Sequence, residues 1–369
     1  MRGIAALIVC LEHWRNLIYV DFRQIDSHRA LFAMPYVITS AGHQAVVIFF
    51  VLSGYLISGS IFRLMQDGQW SWRLYLTHRL VRLWIVLIPA LILGAVLDFV
   101  GLHSHLAPAL YAGQTGTHIL GNVADSLHVS TFAGNLFFLQ GILVKMFGSN
   151  GPLWSLAYEF WYYILFPCAF LVLRRETPMV SRIVSAAAFV ACGWLVGKDI
   201  LLEFPLWLLG TLLAWVPAPR AGVRLRTVVT VVYCPFFFFL AKTSLVNGVF
   251  SDYILGFATF ILVWFLLAAK SPAPANRCVA ISRLTARFSY TLYLVHVPFL
   301  VLLTAVMAGE SRWQPDVRHL MEGFAELFLA IVYAFTVASL TEFQTGRVRR
   351  WAEKRLLRVP IPVVQAYSS

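Results

Sequence analysis

Apolar runs near the ~20 residues that cross a bilayer as a helix recur about ten times along the chain. They lie at roughly 3–20, 43–62, 82–102, 152–173, 183–197, 205–217, 227–241, 253–269, 288–309 and 323–343. The runs at 183–197, 205–217 and 227–241 are short, so their limits are the least defined. A further apolar stretch, 131–147, reads as re-entrant or interfacial. Glu12, His13 and Arg15 interrupt what would be the apolar core of a signal peptide, and the first run therefore reads as a span. The pattern predicts an all-α bundle of about ten transmembrane helices.

Charge then orients the bundle. With the N-terminus inside and one crossing per run, 21 of the 29 lysines and arginines fall in alternate, inward-facing segments. This meets the positive-inside rule at every second loop and makes both termini cytoplasmic. Residues 1–343 form one membrane domain, and 344–369 form a basic cytoplasmic tail suited to lipid headgroups. Composition agrees: 60% of the 369 residues are hydrophobic and 12% are charged, against about 25% in soluble domains. A soluble enzyme, a disordered chain and a nucleic-acid-binding module are excluded, despite a net charge of +12. The five cysteines show no CxxC and no metal-ligand spacing. They read as small buried hydrophobes, and no metal site is expected.

Ionisable groups inside spans are costly and mark candidate sites. Arg2 and His13 are eleven residues apart, three helical turns plus about 20°, and so share one face about 16 Å apart along the axis. Arg2 would lie at the cytoplasmic mouth as a fixed cation for phosphate. His13 would lie near or beyond the midplane, where a neutral imidazole can act as a general base, or simply pack against a neighbouring helix. Ser53 and Gly54 are small residues that admit either a ligand or a second helix. Arg79 and Arg82, at i,i+3, share a face at the cytoplasmic surface. Ser155, Glu159 and Tyr163 form a polar stripe on an aromatic helix that opens at Trp154, and Glu159 could orient a histidine. Ser289, Tyr293 and His296 repeat the pattern near the C-terminus.

At these residues the sequence resembles the acyltransferase 3 family of membrane acyltransferases. The resemblance is carried by Arg2 and His13 in RGIAALIVCLEH, VIFFVLSGYLI at 47–57, RLVRLWIVLIP at 79–89, LWSLAYEFWYYILFP at 153–167 and FSYTLYLVHVPF at 288–299, in family order. The family's last helix ends in glutamate before a basic residue and proline, whereas Glu342 precedes Phe343 and Gln344. The resemblance implies an acyl-CoA donor, most often acetyl-CoA, on the cytoplasmic side of a bacterial inner membrane. It implies as acceptor a hydroxyl of a cell-surface carbohydrate or glycolipid. On this reading Arg2, Arg79 and Arg82 hold the donor. His13 and Glu159 are catalytic, and Ser53, Gly54, Trp154, Ser155, Tyr163, Tyr293 and His296 shape the cavity. A glycolipid or small-anion transporter is the alternative reading of the same intramembrane charges. It lacks the paired broken helices in two matching halves that mark such transporters.

Overall fold

The computed structural model describes residues 1–242, 248–269 and 277–357. The chain is helical, with no β-strand among these residues: α1 (Arg2–Ile18), α2 (Arg29–Ile38), α3 (Gly42–Gln66), α4 (Trp72–Ser104), α5 (Pro108–Tyr111), α6 (Val129–Leu136), α7 (Trp154–Leu173), α8 (Met179–Trp215), α9 (Val223–Lys242), α10 (Gly248–Leu266), α11 (Arg277–Met307), α12 (Val317–Leu340) and α13 (Thr345–Ala352). Each of the ten apolar runs falls on one of these helices. Among the described residues, eight helical stretches are long and apolar enough to cross a membrane. α1, a 17-residue helix held inside the bundle, falls outside that set, and α8 divides into two helical halves.

The runs at 183–197 and 205–217 lie either side of a break in α8 at Gly197, whose φ of 77° only glycine adopts without strain. Leu201 lies against Gly193, although eight residues of straight helix would separate them by about 12 Å. The chain therefore turns back, and its halves, 179–196 and 198–215, run antiparallel. Both ends of the described chain lie at one end of the bundle. There the first turn of α1 packs on Thr285 and Ala286 of α11, and Glu353, just past α13, meets His78 of α4 at 2.6 Å. Lys270, Arg358 and the remainder of the basic tail lie outside the described residues.

Small residues set how closely the helices approach. A Cβ at Gly54 of α3 would strike the Trp207 carbonyl of α8, and one at Gly210 would strike the Val51 carbonyl. The two backbones therefore touch, as small residues allow inside a membrane. The outer faces are apolar. Val180, Ile183, Val190 and Trp194 of α8 and Val228, Val231 and Val232 of α9 are exposed where lipid would lie. Cys10 and Cys168 are buried, but Cys234 is on such an outer face, so the buried-cysteine expectation fails there.

Among the helix prolines, two leave carbonyls that are each met by a side chain in place of the lost intrahelical donor. Pro167 frees the Tyr163 carbonyl, which accepts from Tyr75 at 3.0 Å. Pro298 frees the Leu294 carbonyl, which accepts from Asn150 Nδ2 at 2.7 Å. Asn150 lies three residues past the segment 131–147 read as re-entrant or interfacial. That segment descends beside α4 and α7, where Trp84 donates to the Leu136 carbonyl and Trp161 to that of Phe138. Trp84 is about 18 Å along α4 from its first residue. Irregular backbone at such depth requires protein partners. Asn135 supplies them within the segment, and Asp98 of α4 accepts from the Ser149 amide and hydroxyl at 2.8 and 2.7 Å.

Candidate active site

One cavity of about 200 Å³ lies between α1, α3, α4, α7 and α11, toward the arginine-rich end. Its wall contains Arg2, Arg79 and Arg82 together with Ser53, Ser155, Glu159, Tyr163 and Tyr293. Residues scattered over nearly 300 positions thus meet because each polar stripe faces inward on its own helix.

The three arginines differ in their attachments. Arg79 donates from Nη2 to Ser60 Oγ at 2.8 Å, and its guanidinium lies over the rings of Tyr75 and Tyr163 at 5.2 and 5.9 Å. Its Nε is buried without a partner. Neither Arg2 nor Arg82 has a side-chain hydrogen bond or ion pair among the described residues. Against these three cations the wall offers one carboxylate, Glu159. Glu159 Oε1 accepts from Ser53 Oγ at 3.1 Å and from the Tyr163 hydroxyl, and Ser53 in turn accepts from Trp207 Nε1 at 3.3 Å. Glu342, beyond α12, accepts from the amide and hydroxyl of Thr291 at 3.0 and 2.8 Å.

The histidines lie outside the cavity lining, next to Tyr293, whose ring centroid is 6.2 Å from that of His296. His13 Nδ1 is 2.8 Å from His296 Nε2, and the rings stack at 5.0 Å. His296 Nδ1 is 2.8 Å from the Leu292 carbonyl. A carbonyl only accepts, so His296 carries its proton on Nδ1 and presents a bare Nε2. His13 must then donate from Nδ1. Its own Nε2 is left with a lone pair, the form a general base needs. His296 is fully buried, while His13 keeps some accessible surface.

Several expectations shift at this site. Glu159 makes no hydrogen bond to His13; the group that orients His13 is His296, which the sequence reading assigned to the cavity wall. Gly54 does not line the cavity, because its missing side chain accommodates the backbone of α8. Trp154 lies at the opposite end, stacked on His43 and edge-on to Tyr158. Asn150, Ser60 and Trp207 were not read from the sequence as part of the site. Only Asn150 had a signal, the carbonyl four residues before Pro298 that needs a donor.

An apolar-faced helical bundle enclosing a cationic cavity and, beside it, a histidine pair defines a polytopic membrane protein with an internal cavity. The family model for the acyltransferase domain of the acyltransferase 3 family matches residues 1–343, and the chain belongs to that family. It is a membrane acyltransferase. An uncharacterized protein of Haemophilus influenzae is 27% identical over 191 residues, which cover 45% of this chain and 72% of that protein. No solved structure matches the chain.

Proposed function

We propose that this acyltransferase moves an acyl group, most simply acetyl, from acyl-CoA at the arginine-rich end to a hydroxyl of an exported or cell-surface carbohydrate. The observation that carries the reading is the state of Arg2 and Arg82. Two guanidiniums face one cavity without a hydrogen-bonding partner, beside a third with an orphaned Nε. Half-buried cations left in this way fit a ligand with several anionic oxygens, and guanidinium forks match phosphate. The diphosphate of a coenzyme A thioester has that chemistry. Its pantetheine arm would run beside α1 toward His13, about 16 Å from Arg2 along the helix.

The chemistry follows from the histidine tautomers. His13 Nε2 takes the proton of the acceptor hydroxyl as its oxygen attacks the thioester carbonyl. The tetrahedral intermediate collapses, the carbon–sulfur bond breaks, and His13 returns the proton to the departing thiolate. The products are an ester and coenzyme A, with no net proton change. While His13 is doubly protonated, His296 Nε2 accepts from its Nδ1–H and stabilises the cation. Both termini and the arginine-rich end face the cytoplasm on this reading, where acyl-CoA is made.

The test uses protein in lipid nanodiscs and [1-¹⁴C]acetyl-CoA. Thermal stabilisation by acetyl-CoA, and label passing from it to a membrane or surface glycan fraction, are expected. Neither stabilisation nor transfer, with uptake of a glycolipid by proteoliposomes instead, would replace the enzyme reading with the transporter.

A further inference from the structure

A second cleft of about 560 Å³ opens at the same end of the bundle, between α3, α7 and the second half of α8. Leu56 of α3 lines both it and the arginine cavity, so a single side chain stands between the two. The cleft is walled by Arg63, Arg174, Tyr55, Phe62 and Trp215. Trp215 is 76% exposed, its ring 6.4 Å from that of Phe62. Arg63 has no side-chain hydrogen bond or ion pair among the described residues. Arg174 uses only Nε, toward Glu176 at 2.9 Å, in a surface pair. Such exposed, solvent-screened pairs are weak and do not hold Arg174 against a dianion.

We propose that this cleft holds the nucleotide end of the donor, with the purine against Trp215 and the ribose phosphate between Arg63 and Arg174. The inference rests on the acyl-CoA reading above and extends it to a place that reading does not reach. With the thioester at His13 and the diphosphate at Arg2, Arg79 and Arg82, the rest of the donor must leave the cavity toward the arginine-rich end. Ser53, in the cavity wall, and Arg63, in the cleft, are ten residues apart on α3, about 15 Å. The path passes Leu56 and Gly59, where glycine leaves the wall low. The cleft volume lies within the range of small-ligand sites, and an aromatic plane beside two guanidiniums suits a flat base bearing a phosphate.

A tryptophan and two arginines at a membrane boundary also suit lipid headgroups, which offer the same phosphate chemistry. The two sources are separated by donors truncated at the nucleotide. Turnover would be measured in nanodiscs with acetyl-CoA, acetyl-3′-dephospho-CoA and acetyl-pantetheine, for the wild type, the double variant Arg63→Ala/Arg174→Ala, Trp215→Ala and Trp215→Phe. The expected result is a rise of about tenfold or more in KM for acetyl-CoA in the double variant, with kcat kept. The wild type should prefer acetyl-CoA over its dephospho form, and the double variant should lose that preference. Trp215→Ala should raise KM for both nucleotide donors, Trp215→Phe should largely restore them, and acetyl-pantetheine should be indifferent to every change. An unchanged KM for acetyl-CoA in the variants overturns the proposal. So does a loss limited to stabilisation by anionic lipid, which would assign the cleft to a headgroup. If the wild type turns over none of the three donors, the acyl-CoA reading itself fails, and the cleft assignment with it.

Discussion

His13 Nδ1 lies 2.8 Å from His296 Nε2, and the Leu292 carbonyl at the far side of His296 gives that contact a direction. The proton on His296 is fixed by a backbone acceptor, so His13 is the donor and its Nε2 is the free base. Removing the base itself should cost ~10²–10⁴ in rate. His13→Gln should therefore abolish measurable acetyl transfer while acetyl-CoA still stabilises the protein. His296→Phe keeps a ring of similar size but removes the acceptor for the His13 Nδ1 proton. The lost bond is to a charged group in the transition state, worth about 1.5–3 kcal/mol, or roughly 10- to 150-fold in rate. His296→Gln retains a carbonyl acceptor and should recover part of this. Equal activity of the Phe and Gln variants would remove the relay.

The Leu294 carbonyl, two residues before His296, depends on Asn150 for its donor. With Pro298 in place, Asn150→Ala leaves the Leu294 carbonyl buried and unpaired, at a cost of about 1–3 kcal/mol. Pro298→Ala supplies a backbone N–H that can reach the same carbonyl. The double variant should consequently be less destabilised than the sum of its parts, with a coupling of about 0.5–3 kcal/mol. Thermal unfolding of the four proteins in detergent checks this. Strict additivity would mean that Asn150 does not serve the orphan carbonyl.

Gly54 separates packing from ligand contact. A Cβ there meets the Trp207 carbonyl, and neither backbone can yield without parting α3 from α8. Gly54→Val should lower stability by about 1–3 kcal/mol through overpacking. Gly54→Ala should show a smaller loss of the same kind. A variant of normal stability with an altered KM for the donor would return Gly54 to the cavity wall.

What could be read in advance follows from what periodicity encodes. Hydropathy located the helices because each span must be apolar over its length, and the 100° step placed Arg2, Glu159, Tyr163 and Tyr293 on inward faces. Facing inward does not say which group is met. His13 was assigned Glu159 as its orienter because a carboxylate is the usual partner, yet Glu159 is held by Ser53 and Tyr163. The pairing with His296 depends on how α1 and α11 cross, which small residues such as Gly3 set and no single-helix pattern records. The descent of 131–147 rests on bonds that Trp84 and Trp161 donate to its carbonyls, and on Asp98, which accepts from Ser149 just beyond it, all partners outside the segment.

Orientation can be tested independently of chemistry. The structure puts α13 beside the start of α4, at the end where the first turn of α1 lies. We infer from the distribution of basic residues that this end is cytoplasmic. Single cysteines replacing Arg73 or Arg349, in a background with the native cysteines removed, should resist a membrane-impermeant maleimide in intact cells and react after permeabilisation. A cysteine replacing Asp26, at the opposite end, should react in intact cells. The reverse pattern would put the cationic cavity on the side away from acyl-CoA.

The three cavity arginines should respond differently to truncation, and the difference follows from their partners. Arg79 is tied into the fold through Ser60 and the Tyr75 and Tyr163 rings. Arg79→Ala should therefore lower the melting temperature and raise the KM for acetyl-CoA together. Arg82 has no such ties among the described residues, so Arg82→Ala removes a contact made only when the ligand is present. A charge-assisted bond of about 1.5–3 kcal/mol corresponds to a rise in KM of roughly tenfold or more. The melting temperature without ligand should stay near that of the wild type, and the stabilisation given by acetyl-CoA should shrink. Arg82→Lys keeps the charge but loses the planar fork, and should fall between the two. If Arg82→Ala instead unfolds the protein while those molecules that remain folded keep a normal KM, Arg82 is a structural cation. The donor site would then have to be sought elsewhere.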